Sequence, residues 1–184
     1  MDKKRCQWAE NVEEIYTKYH DEEWGVPTYD DQELFEMLVL ESFQAGLSWI
    51  TILKKRENFR KAFDNFDIET VSKYDEEKVE ELRANKGIVR NKLKINAAIN
   101  NAKVFMEIQK EFGSFSNYIW GFTDNKTLKD TEENYQTSSP LSDKITKDLK
   151  KRGMKFVGTT IIYSYLESIG IINNHIHECF RYEE

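Results

Sequence analysis

Glu41 is a carboxylate placed where a helix should be apolar. In the stretch LFEMLVLESFQAGLSWITIL, from Leu34 to Leu53, the residues Leu34, Leu38, Glu41 and Ala45 recur at i, i+4, i+7 and i+11, one side of an α-helix. An unpartnered polar group in such surroundings costs about 2–7 kcal/mol. Three ordinary arrangements would relieve it: a helix rotated so that Glu41 meets water, backbone N–H donors, or a paired basic side chain. Just beyond, Ala45-Gly46-Leu47-Ser48-Trp49 reads as a tight corner, with Ser48 as the N-cap of the next helix. Aromatic residues gather around Glu41 in the sequence: Tyr16 and Tyr19 before it, Trp24 after those, Trp49 past the corner, and Trp8 near the N-terminus. Core packing accounts for each of them taken singly.

Two cysteines and two of the three histidines lie near the ends of the chain, as Cys6, His20, His175 and Cys179. Thiolate and imidazole in a 2+2 set suit Zn²⁺, and His175 and Cys179, at i and i+4, would point the same way from a helix. The thirteen residues between Cys6 and His20 exceed finger spacing, so ordinary buried cysteines remain the competing reading. His177 would point elsewhere. A third constellation, Gly153-Met154-Lys155-Phe156-Val157-Gly158-Thr159-Thr160, falls between two expected helices. Glycines at that spacing are common to many helix pairs.

The segment ESFQAGLSWITILKKRENFRKAF, from Glu41 to Phe63, resembles the signature of the DNA-3-methyladenine glycosylase I family. The likeness continues through Arg5-Cys6-Gln7-Trp8, Tyr19-His20-Asp21-Glu22-Glu23-Trp24-Gly25-Val26-Pro27, Gly87-Ile88-Val89-Arg90 and Lys150 to Thr160. It implies a single glycosylase domain over residues 1–184, as one or two helical lobes, in an all-α helix-hairpin-helix fold whose N- and C-terminal segments a zinc site joins. The implied activity is monofunctional hydrolysis of the N-glycosidic bond of 3-methyladenine in double-stranded DNA, by a monomer, with no Schiff-base lysine. In the resembled family Cys6, His20, His175 and Cys179 hold one structural Zn²⁺ per chain, a closed set with no position for water.

The resemblance makes Glu41 the catalytic and base-recognising carboxylate. Tyr19 and Trp49 become the base pocket, with Trp8, Tyr16 and Trp24 as its walls. A base alkylated at N3 is cationic, so each aromatic face attracts it by about 0.5–2 kcal/mol, and a buried carboxylate gives it a charge partner. Leu47 would fill the gap left in the DNA stack, with Gly46 allowing close approach. Lys155, Gly158 and Thr159 would meet phosphate at the hairpin, and Gly87 to Arg90, with Lys92, would add a second backbone contact. The chain departs from the family's usual pattern at Ser42, commonly glycine, and at Phe43, both adjoining the carboxylate.

The elements that must position these residues follow from caps and periodicity. Asn11 with Glu14 reads as the cap of a first helix carrying Val12, Ile15, Tyr16 and Tyr19 on one face and ending near His20. Asp30 with Glu33 opens the Glu41 helix and Gly46 stops it. A third helix should run from Trp49 to about Phe63, and Asp67 and Asp75 cap two short ones. A longer helix is expected from Arg90 to Phe112 with Leu93, Ala97, Val104 and Ile108 on one side, then another capped by Ser114. Residues 123–140 read as a polar surface loop, Ser142 opens a helix stopped by Gly153, Gly158 to Ile169 forms the last long helix, and a short one carries His175 to Cys179.

Composition bounds the reading. At 184 residues, with 39% hydrophobic and 33% charged residues, the chain can bury roughly 70% of its unfolded surface. Two cysteines do not make a secreted disulfide framework, and no run approaches the ~18 apolar residues of a membrane span, so a cytoplasmic protein without a membrane partner is expected. The net charge of −6 argues against an anionic partner, but base is concentrated at Lys54 to Arg56, Arg83 to Lys94 and Lys144 to Lys155, which can hold phosphate locally. A non-enzymatic zinc-stapled helical module that binds DNA or protein would keep the hairpin but has no use for Glu41. A hydrolase of small nucleosides would need the pocket but neither Leu47 nor the hairpin.

Overall fold

Ten consecutive residues of one helix, Leu34 to Phe43, are buried, and the other elements are arranged to cover them. The computed structural model describes residues 3–129 and 136–183. Its helices are α1 (Glu14–Glu22), α2 (Asp31–Gln44), α3 (Trp49–Ala62), α4 (Ile68–Ser72), α5 (Glu76–Ala84), α6 (Lys92–Phe112), α7 (Phe115–Gly121), α8 (Pro140–Lys151) and α9 (Thr159–Ser168). Helix α2 packs against α3, α6, α7 and α9. The fold is mostly helical, as expected. The described residues add one minimal parallel pair, β1 (Leu128–Lys129) with β2 (Ile172–Asn173).

Side-chain caps fix most helix starts. Asp30 Oδ1 accepts from the N–H groups of Gln32 and Glu33 at 2.9 and 3.0 Å, and Asp67, Asp75, Asn91 and Ser114 cap α4, α5, α6 and α7 in the same manner. Ser48 is the N-cap residue of α3 but makes no capping bond; its hydroxyl pairs instead with Thr51 Oγ1 at 2.7 Å. The segment from Gly25 to Thr28 lies along the end of α9, Gly25 N–H donating to the Glu167 carbonyl and Thr28 N–H to that of Ile169. At this approach a Cβ on Gly170 would sit 2.4 Å from Pro27 N and Val26 C, so no larger residue fits there.

Several expected boundaries and faces differ. Asn11 does not cap α1; Glu13 is the N-cap residue without a side-chain bond, and Val12 and Ile15 are exposed while Tyr19 is buried. Helix α8 begins at Pro140, because Ser139 and Ser142 form the capping box and Pro suits the first helical position. The polar loop expected over 123–140 includes residues 130–135, which lie outside the described residues, and its last residue belongs to α8. Leu93 is 70% exposed, and the buried face of α6 includes Lys94, Ile95, Ala98 and Phe105 alongside Ala97 and Ile108. No helix carries His175 to Cys179; that segment is turns.

Candidate active site

A cavity of about 200 Å³ opens beside the C-terminal end of α2. Its aromatic walls are Trp8, Tyr16, Tyr19, Trp24 and Trp49, and its polar lining is Glu41, Gln44, Ser164 and Glu167. All six residues assigned to the pocket from the sequence meet here. Tyr19 and Trp49 lie with ring centroids 5.5 Å apart, Trp8 stands edge-on to Trp24 at 4.9 Å, and Tyr16 packs on Trp8 at 5.0 Å. So small a space bounded by flat faces suits one fused ring system better than a whole nucleotide.

None of the three ordinary arrangements relieves Glu41. The residue is only 3% exposed, so the helix is not turned toward water. Its Oε2 is buried without a hydrogen-bond partner among the described residues, and no salt bridge there includes it. Burial pushes its carboxyl well above the ordinary range, and the charge of Glu167 pushes in the same direction. Trp49 Nε1 is also buried and without a partner among the described residues. The cavity therefore presents a waiting acceptor and a waiting donor. Burial likewise raises the Tyr16 and Tyr19 hydroxyls, with Glu41 adding to both, so they stay neutral.

Sequence reasoning missed three of the lining residues. Gln44 is one turn from Glu41, and helical spacing alone could have found it. Ser164 and Glu167 come from α9, more than a hundred residues away, and only the packing of α9 on α2 brings them in. Ser42 and Phe43 prove not to narrow the cavity. The Ser42 hydroxyl lies 2.8 Å from the Leu38 carbonyl and 3.1 Å from that of Phe156, and the Phe43 ring packs on Phe59 and Phe63.

The corner after α2 turns at Gly46, with φ +80°, and carries Leu47, which is 39% exposed. Leu47 N–H donates to the Gln44 carbonyl at 2.7 Å, and Gln44 Nε2 donates to the Leu47 carbonyl at 3.1 Å, so a residue of the cavity wall also holds the corner. Lys94, another residue missed, is buried at the end of α2 and donates from Nζ to the carbonyls of Phe43 and Ala45 at 2.8 and 2.6 Å. It is a cation on the negative end of the helix.

The turn between α8 and α9 is held from beneath. Asn101 accepts from Lys155 N–H and donates to the Lys155 carbonyl, both at 2.8 Å, and Asn100 donates to the Gly153 carbonyl at 2.8 Å. Gly153 and Phe156 take positive φ. Lys155 is exposed, Gly158 is the N-cap residue of α9 with open space before it, and Thr159 pairs with Ser142 through their hydroxyls. Near the second proposed backbone contact Arg90 is exposed, whereas Lys92 is engaged by Glu76 and Glu80 at 2.5 and 3.2 Å.

Cys6, His20 and Cys179 bring their ligand atoms within 4.8 Å of one another, all buried. The His175 ring stands 5.0 Å from that of His20. Each imidazole is oriented by a partner at Nδ1: His20 by Asp21 Oδ1 at 2.9 Å, His175 by Asn173 Oδ1 at 2.8 Å. An acceptor at Nδ1 leaves the lone pair on Nε2. Nε2 of His20 accepts from Cys6 N–H at 3.3 Å and lies 3.5 Å from Cys179 Sγ, and Nε2 of His175 is buried without a partner among the described residues. Two thiols and the His20 imidazole are the gathered donors, a chemistry that suits Zn²⁺, and His175 stands outside this group of three. Without a cation the Cys6 thiol is pushed up to about 12 by burial, and His175 down to about 4 by burial and by His20. The i, i+4 helical geometry expected of His175 and Cys179 is absent; turns bring Cys179 in, and Phe180 N–H donates to the Lys4 carbonyl.

The model of the methyladenine glycosylase family matches residues 8–182. The DNA-3-methyladenine glycosylase 1 of Escherichia coli (strain K12) is 45% identical over 181 residues, covering 97% of this chain and 96% of that one. A crystal structure of 3-methyladenine DNA glycosylase I superimposes with a TM-score of 0.93 at 46% identity, over 97% of this chain and 100% of the other. A variant of 3-methyladenine DNA glycosylase I solved in complex with 3-methyladenine gives a TM-score of 0.93 at 33% identity, with 98% of each chain covered.

Proposed function

The chain belongs to the methyladenine glycosylase family, and from that membership we propose that it takes 3-methyladenine from alkylated double-stranded DNA into the aromatic cavity and hydrolyses its N-glycosidic bond there. It is a base-excision repair enzyme. The observation that carries the residue assignment is the unpartnered, buried Oε2 of Glu41 in a wall of five aromatic rings.

An adenine alkylated at N3 carries a positive charge while bonded to deoxyribose. Cleavage sends the C1′–N9 electron pair onto the ring, which departs neutral, and water adds to C1′ with loss of a proton. The leaving group needs little acid catalysis. Glu41 holds the cation and steadies positive charge developing on the sugar, Tyr19 and Trp49 face the ring, and Trp8, Tyr16 and Trp24 exclude water. Leu47, on its glycine corner, fills the space the base vacates. Lys155, Gly158 and Thr159 receive phosphate at a helix-hairpin-helix, which the backbone support from Asn100 and Asn101 makes rigid.

Cys6, His20, His175 and Cys179 hold one structural ion. Zn²⁺ bound there supplies a closed crosslink between the chain's ends, with no position for water. One chain supplies every lining residue, in keeping with a monomer. No described helix is long and apolar enough to cross a membrane, and genomic DNA as substrate agrees with a cytoplasmic enzyme.

The test has two arms. Release of free base is measured from methylated duplex and from the methylated nucleoside; release from duplex alone is expected. Equal rates on both would assign the site to a nucleoside hydrolase, and release from neither would leave only a binding module. In the second arm Glu41→Gln is titrated at neutral pH with 3,9-dimethyladeninium, which is cationic there, and with neutral 9-methyladenine. Loss of a charged hydrogen bond should reduce the cation preference about 10- to 150-fold, and an unchanged preference would remove Glu41 from recognition.

A further inference from the structure

Glu167 is a second carboxylate on the cavity wall, and nothing above gives it work. It projects from α9 one turn beyond Ser164, across from Glu41 on α2, and all three line the same space. Its Oε1 accepts from Asn174 Nδ2 at 2.7 Å, and that amide nitrogen also lies 2.8 Å from the Tyr163 hydroxyl. The carboxylate is thus tied to its place on the wall. Its backbone carbonyl receives Gly25 N–H at 2.9 Å, which fixes this turn of α9 to the segment carrying Trp24.

Two carboxylates in one small cavity repel each other, and the charge of Glu167 is felt at both Glu41 and Tyr19. A positive occupant relieves that repulsion. A neutral one of the same shape leaves it in place. We propose that Glu167 is a specificity-determining residue, which makes the cavity select purines by net positive charge in addition to the contact that Glu41 makes. The ligand class is the N-alkylated, cationic purine. The inference rests on the pocket reading above, and it separates the work of the two acids: Glu41 meets the base, while Glu167 sets the potential in which the base is held.

The experiment titrates wild type, Glu41→Gln, Glu167→Gln, Glu167→Asp and Asn174→Ala with 3,9-dimethyladeninium and with 9-methyladenine. Glutamine at 167 keeps an oxygen for Asn174, so packing should persist while the charge goes. The expected result is a loss of about 3- to 10-fold in cation preference for Glu167→Gln, carried by the cationic probe alone, with most of the preference restored in Glu167→Asp. Asn174→Ala, which leaves the acid but unties it, loses part of the preference and keeps the inference testable should Glu167→Gln fail to fold. Unchanged preference in Glu167→Gln or, failing that variant, in Asn174→Ala overturns the inference, as does equal loss for both probes. A wild type without cation preference, or an unaffected Glu41→Gln, overturns the pocket reading itself, an outcome read from different arms.

Discussion

Helix α2 carries Glu36, Glu41 and Ser42 on its buried stretch, and their surroundings differ. Glu36 accepts from Arg56 Nε at 2.6 Å and Arg60 Nε at 3.0 Å, and Ser42 reaches the Leu38 and Phe156 carbonyls. Glu41 alone keeps an oxygen without a partner. Its carboxyl is raised well above the ordinary glutamate range by burial, which fixes the sign of its contribution to stability. Below that range both folded and unfolded states are protonated and nothing is lost. As pH climbs past it the unfolded chain ionises first, and folding is progressively disfavoured. Glu41→Gln should therefore match wild type near pH 4 and melt a few degrees higher at pH 7, each kcal/mol being worth about 2–4 °C in a chain of this size. Melting curves at both pH values check this; an equal difference at the two would mean that charge is not its cause.

At the scale of elements, α2 and α6 hold the two features assigned to DNA. Lys94 and Gln44 fasten the Leu47 corner, while Asn100, Asn101 and Ser42 fasten the turn before α9. Asn101 is the residue to test, since this one buried side chain satisfies both the N–H and the carbonyl of Lys155. Asn101→Ala leaves both groups short of a partner, a cost of about 1–3 kcal/mol. Duplex affinity should fall by at least tenfold while affinity for a free cationic purine stays within twofold, on the order expected when a phosphate-facing element loosens. Equal losses would show that the hairpin and the cavity are one packing unit.

Across the whole molecule, the Cys and His cluster backs the aromatic cavity and brings Cys6 beside Cys179. Trp8 lies 5.1 Å from His20 and Trp24 lies 4.5 Å from His175, ring to ring, while the same two tryptophans line the cavity. Purified protein should contain about one equivalent of Zn²⁺ by elemental analysis. Its removal by chelator, or Cys179→Ala, should lower the melting temperature, change the tryptophan emission and weaken binding of the cationic purine. Folded, active protein free of metal would end the zinc assignment. An unchanged emission spectrum on chelation would confine the cluster to the termini.

Residue types and local spacing determined the helical class and most helix starts, because a side-chain cap or a 3.6-residue period is decided within one turn of chain; the aromatic company of Glu41 was implied only by the family resemblance. The Asp30, Asp67, Asp75 and Ser114 caps are of that kind. Membership of a chemical constellation survived even where its local geometry did not: Cys179 reaches His20 through turns, without the helix expected. What only tertiary structure decided are the partners. The sequence could not say that Glu41 would lack one, since three relieving arrangements were equally open to it. Nor could hydropathy choose Lys94 over Leu93 for the interior of α6; the lysine is buried because two helix-end carbonyls await its ammonium, a fact that lies fifty residues away in the chain. Glu167 enters the cavity for the same reason, placed there by the packing of α9 on α2 and by Asn174, with no local signal in its own helix.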